Sequence, residues 1–186
     1  EKNQSLEATL TRWFLANRHD LEENLPMGVF LSTRRYRHLP VIGGGLPRDA
    51  LTAVVRVFQA FILLTLCCLW AAARREDERG RRALEVSLIF LSMTLLAPLA
   101  RSHQFISWSF AFSTILWLAK DGADPALQRI LRSAGRWALV FYVLQAVPYG
   151  KAAGMGTWAN LVLWIGFAWA AFEIMRRRAR PGWTGA

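Results

Sequence analysis

Residues 57–73 read VFQAFILLTLCCLWAAA, seventeen positions without a charge. A second uncharged run, 152–172, reads AAGMGTWANLVLWIGFAWAAF and is twenty-one residues long. A helix crossing a hydrocarbon core needs roughly 20 mostly apolar residues. Soluble domains rarely build even one such segment, so these two runs point to a membrane.

Outward from these runs the chain divides into further apolar segments. Spans are expected at about 51–73, 83–100, 104–119, 129–149 and 157–175. The uncharged part of the fourth, Trp137 to Gly150, is only 14 residues long. The expected fold is therefore all-α: a polytopic transmembrane helical bundle of about five spans. Residues 51–175 form it, a basic tail (176–186) follows, and residues 1–50 lie outside the bundle. Within 1–25, Leu6, Leu10, Trp13 and Phe14 recur at helical spacing around Glu7, Arg12 and Arg18, which predicts an amphipathic surface helix. Ser5 suits its N-cap. Residues 26–49 are punctuated by Pro26, Gly28, Pro40, Gly43, Gly44, Gly45 and Pro47 and read as loop. The Gly43–Gly45 run lacks dinucleotide-binding spacing. Because the chain opens at Glu1 with neither Met nor a signal peptide, the expectation is the C-terminal part of a longer protein.

The formal charge of +10 admits nucleic-acid binding. The arginines, however, sit in short clusters between apolar runs, as cytoplasmic charge does in membrane proteins. Arg74, Arg75, Arg79, Arg81 and Arg82 separate spans one and two. Lys120, Arg129, Arg132 and Arg136 separate spans three and four. Arg176, Arg177, Arg178 and Arg180 mark the tail. The alternate loops hold only Arg101 and Lys151. Lys and Arg mark the cytoplasmic side. That places the C-terminus inside, and residues 1–50 and the loops near 101 and 151 outside. No nucleic-acid partner is expected. Trp70, Trp117 and Trp137 fall near inner ends, and Trp108 and Trp158 near outer ends, as an interfacial belt would have them. Cys67 and Cys68, inside an apolar run, read as small core hydrophobes and not as a disulfide or metal site.

Candidate chemistry gathers on the outer side. The break Ala97-Pro98-Leu99-Ala100-Arg101-Ser102-His103-Gln104 lies between two short apolar segments. Fifteen uncharged residues, Val86 to Ala100, reach about 22 Å as helix. Irregular backbone that dips into a membrane needs protein or a water-filled cavity around it. Arg101 and His103 held there could grip a phosphate, Arg by a forked pair of hydrogen bonds. A plain outer turn with a snorkelling Arg fits the same spacing. Arg56, with Gln59 at i+3, is an ionisable residue within a span and hence a candidate, though near enough to the outer end to snorkel. Asn3-Gln4-Ser5 stands at a helix N-terminus, which favours anions. Glu85 and Glu173 lie near inner ends, and Glu173 is spaced to pair with Arg177. His19 and His38 receive no role. No zinc spacing, P-loop or nucleophile triad occurs, so neither metal nor cofactor is expected.

At these residues a family resemblance enters. Asn3-Gln4-Ser5-Leu6, running into an amphipathic helix, resembles a segment of glycosyltransferase family 87. Members are polytopic enzymes of the GT-C type that use polyprenyl-phosphate sugars, such as bacterial mannosyl- and arabinofuranosyltransferases. Leu95-Leu96-Ala97-Pro98 followed by His103 resembles the family's Leu-Leu-Ser-Pro segment and the His pair beyond it. His103 falls on the first His of that pair and Gln104 on the second, while Arg101 replaces a residue that is often Trp.

The resemblance covers roughly 1–120. It implies a bacterial plasma-membrane hexosyltransferase or pentosyltransferase with a lipid-phosphate sugar donor and a glycan or glycolipid acceptor at the outer face. It also implies an acidic general base upstream of Glu1. Asp20, Glu22 and Glu23 are outer acids, but nothing matches them to that base. On this reading Arg101, His103, Gln104 and Arg56 serve the donor phosphate, and Asn3, Gln4 and Ser5 shape the sugar or acceptor side. A non-enzymatic transporter part or scaffold subunit explains the spans equally well, and an inactive truncated product is a third possibility.

Overall fold

The computed structural model describes residues 6–14, 45–73, 79–96, 103–120, 125–147 and 153–178. They form six α-helices: α1 (Leu6–Phe14), α2 (Arg48–Ala73), α3 (Arg79–Leu96), α4 (His103–Lys120), α5 (Pro125–Gln145) and α6 (Met155–Arg178). The fold is all-helical, as expected. Helices occupy all five apolar segments, with shifted ends. The fourth begins at Pro125, four residues before the predicted start, because proline's fixed φ and missing N–H suit the first helical position. The second is described from Arg79 to Leu96.

Local chemistry sets the other ends. Asp49 lies in the first turn of α2, where the helix dipole favours an acid. The Leu51 amide donates to the Pro47 carbonyl at 3.0 Å and opens the helix. The last turn of α5 tightens through Ala146 N–H to Val143 O and Val147 N–H to Leu144 O, which occupies carbonyls that would otherwise lack partners.

Helices α3 to α6 form the bundle, and α2 leans on it along a narrow stripe, Leu51, Val55, Ile62 and Leu69. The largest interface is α5 on α6, followed by α3 on α4 and on α6. Small residues allow the α5–α6 approach: Ala134 sits where a side chain on Gly166 would have to go. Leu84, Leu88, Leu91, Leu95, Leu131, Leu163 and Phe167 fill the interior.

Apolar residues fill the interior and also cover much of the surface. Val57, Leu64, Leu116, Trp137, Val143 and Phe172 are exposed, while Thr9, Ser87, Ser92, Thr157 and Asn160 are buried. Two helical segments, Arg48–Ala71 and Met155–Arg176, are long and apolar enough to cross a membrane. In α2 only 17% of the apolar window is buried, whereas the core helix of a soluble protein would be mostly buried. α3 and α5 carry arginines in their first halves, which interrupts their apolar length.

Two side-chain expectations need correction. Trp108, expected in an interfacial belt, is 6% exposed and packs inside the bundle, because its indole N–H finds an acceptor there. Cys67 and Cys68 are exposed and not core hydrophobes, since both fall off the Ile62–Leu69 stripe that α2 buries.

Candidate functional site at one end of the bundle

Four elements meet at one end: α1, the start of α2, the start of α4 and the start of α6. Helix α1 does not float on the surface. Leu6, Thr9 and Leu10 are buried, so the expected amphipathic stripe is real but faces protein. The Leu46 amide donates to the Phe14 carbonyl at 2.6 Å, tying the end of α1 to the chain entering α2. The Trp13 indole donates to the Ala153 carbonyl at 2.8 Å, and the Thr9 hydroxyl donates to the Thr157 hydroxyl at 3.0 Å. Gly154 makes this docking possible. Its φ is +72°, which other residues rarely adopt, and a Cβ there would strike Thr9. The Gly154 carbonyl then accepts from Thr157 and Trp158 and starts α6.

Deeper in, α4 and α6 are pinned side by side. The Trp108 indole donates to Asn160 Oδ1, and each residue lies five positions into its helix. The Tyr142 ring of α5 meets Trp108 edge-on, with centroids 4.6 Å apart. The Trp164 indole donates to the Ser92 hydroxyl at 2.8 Å and joins α6 to α3. Ser87 and Thr114, whose hydroxyls are 2.9 Å apart, join α3 to α4. Thr157, Asn160 and Trp164 thus form one polar seam on α6, spaced i, i+3 and i+7. These four hydrogen bonds fix the register of the helices they join.

Among the described residues, every buried polar side chain is an uncharged Thr, Ser or Asn. The seam's hydrogen bonds join α1, α3, α4 and α6. Asn160 is the exception in one respect: it is 0% exposed, and its Nδ2 has no hydrogen-bond partner.

Of the seven residues singled out from sequence, Asn3, Gln4, Ser5 and Arg101 lie outside the described residues. So do Asp20, Glu22, Glu23, His19 and His38. His103 and Gln104 open α4, and their side chains too lie outside what is described. The structure thus brings the element following Asn3–Ser5 and the helix opened by His103 to the same end. Arg56 stands apart. α2 begins at Arg48, so Arg56 is about 12 Å along it. It is exposed, one position off the buried Leu51–Val55 stripe, and points away from the bundle interior. At the opposite end, Glu173 accepts a hydrogen bond from Arg176 at 3.1 Å.

Sequence reasoning missed Trp108, Asn160, Thr9 and Thr157. Asn160 had left a signal: an amide within a long apolar run must find a partner. The two threonines had left none. Compared with protein families, curated proteins and solved structures, the chain matches no family model, no curated protein and no solved structure.

Proposed function

We propose that this chain is a membrane-embedded bundle in which α2 to α6 cross the bilayer. Its arginine-rich end would be cytoplasmic and α1 would lie at the outer face. On the same reading it belongs to a GT-C glycosyltransferase of the family 87 type in a bacterial plasma membrane. Such an enzyme takes a sugar from a polyprenyl-phosphate donor and hands it to a glycan or glycolipid acceptor outside.

The membrane part is supported by the many exposed large apolar side chains, since apolar patches on this scale mark contact with lipid or protein. The enzymatic part is carried by one observation. The two stretches that resemble the family are far apart in sequence, yet the elements they lead into, α1 and α4, both anchor on the first turns of α6, at the end away from the arginine clusters. A transporter reading would call for ionisable groups near mid-membrane. The buried polar residues described here are all neutral.

The reaction is a displacement at the anomeric carbon. The acceptor oxygen forms a bond to that carbon as the bond to the lipid-phosphate oxygen breaks. A base removes the acceptor's hydroxyl proton, and the phosphate leaves with the bonding electrons. Arg101 and His103 stabilise that departing phosphate.

The test is transfer of labelled sugar from a polyprenyl-phosphate donor in membranes carrying the protein as produced in its cell. Arg101→Ala should lower turnover about 10- to 100-fold, the effect of losing one charge-assisted hydrogen bond, with no loss of membrane insertion. Wild-type membranes that transfer no sugar from any polyprenyl-phosphate donor would leave the scaffold reading standing.

A further inference from the structure

The first half of α5 carries a groove of about 480 Å³ lined by Pro125, Gln128, Arg129, Arg132, Ser133 and Arg136. The three arginines are exposed and spaced i, i+3 and i+7, so they share one face over about 10 Å. Gln128 organises the middle of that face. Its amide end reaches back to the neighbouring helix, with Nε2 donating to the Leu118 carbonyl of α4 at 3.4 Å. Its Oε1 accepts from Arg132 Nη2 at 2.7 Å. Arg132 is therefore held on the groove wall. Among the described residues, no acid lines the groove.

The same helical face continues beyond Arg136 in a different chemistry. Leu139, Val140 and Val143 are exposed on α5, and Val147 is exposed in the turn that follows it. One row thus changes from three cations with a hydroxyl to an apolar strip. That is the profile of a molecule with an anionic head and a hydrocarbon tail. A soluble anion would use the first half and leave the second bare.

We propose that this face of α5 is a binding site for an anionic phospholipid, separate from the outer-face site. The headgroup phosphate would be held by Arg129, Arg132 and Arg136 and the acyl chain laid along Leu139–Val147. Arginine suits the task because its planar fork pairs with two phosphate oxygens at once. Basic pockets at the cytoplasmic level of a bundle recruit such headgroups. The inference rests on the membrane placement of α5 and is independent of any glycosyl transfer.

The experiment uses the full chain in phosphatidylcholine nanodiscs. These are doped with a photoactivatable lipid, either phosphatidylglycerol or phosphatidylcholine, and crosslinked peptides are read by mass spectrometry. Both probes should crosslink within 125–147, and the phosphatidylglycerol probe should do so in severalfold higher yield than the phosphatidylcholine probe. Arg132→Gln should lower the yield about fivefold, whereas Arg176→Gln should leave it unchanged. Excess inorganic phosphate should not displace the lipid.

Equal yields from the two lipids, no response to Arg132→Gln, or an equal response to Arg176→Gln would each overturn the proposal, as would displacement by phosphate alone. Failure of the membrane reading shows separately, as a chain that alkaline carbonate strips from membranes. A chain that stays in the membrane yet shows no lipid preference refutes the lipid site alone.

Discussion

Asn160 shows how much one amide can decide. It is enclosed on α6, its Oδ1 is taken by the Trp108 indole, and its Nδ2 is unpartnered. Removing one partner of a buried pair leaves the other with the full desolvation penalty, while removing both is milder. Trp108→Phe should therefore destabilise the bundle by about 1–2 kcal/mol, beyond what the smaller ring loses in packing. The double variant Trp108→Phe/Asn160→Leu should recover part of that loss. The measurement is reversible unfolding in mixed micelles, read as a double-mutant cycle. A double variant less stable than Trp108→Phe would mean that Asn160 has a further partner. At the same scale Arg56 teaches the converse: a charge inside an apolar segment drew attention, yet its exposed position keeps it out of the interior.

At the scale of elements, three glycines separate by what surrounds them. At Gly166 a Cβ would overlap the Ala134 Cβ, and both positions lie in packed helices that cannot easily part. Gly166→Ala should lower stability by about 1–3 kcal/mol through overpacking, and Ala134→Gly in the same chain should restore much of it. At Gly135 the nearest atom is the Ile115 Cδ1 at 3.2 Å, the far end of a side chain that can turn. There the helix-forming gain of Ala over Gly, about 1 kcal/mol, offsets the crowding, so Gly135→Ala should be close to neutral. Gly154 combines positive φ with Thr9 against it, so Gly154→Ala should release α1 from α6. Proteolysis between α1 and α2 would report that release as faster cleavage. Unfolding midpoints of the first two variants that fail to diverge would refute the packing account.

At the scale of the whole molecule, the outward apolar surface carries the prediction. Cys67 and Cys68 are exposed on α2, about 9 Å from its end at Ala73. If lipid covers that face, a charged maleimide should leave both thiols unmodified in native membranes and modify them once the protein is unfolded in detergent. The chain should also remain in the pellet at alkaline carbonate. Rapid modification by the charged reagent in intact membranes would mean that α2 faces water.

Helical class, the positions of the apolar helices and the segregation of cations between alternate loops were all legible from residues alone. Long uncharged runs, prolines at helix ends and clustered arginines are local signals that need no partner to be read. Which face of each helix packs was not legible, because runs that are apolar on every side carry no hydrophobic contrast to mark an inside. Only the tertiary structure turned Trp108 inward and Cys67 outward, laid α1 on the first turns of α6, and paired Asn160 across to α4. Those outcomes depend on shape and on hydrogen bonds between residues distant in the chain, such as the 148 positions that separate Thr9 from Thr157.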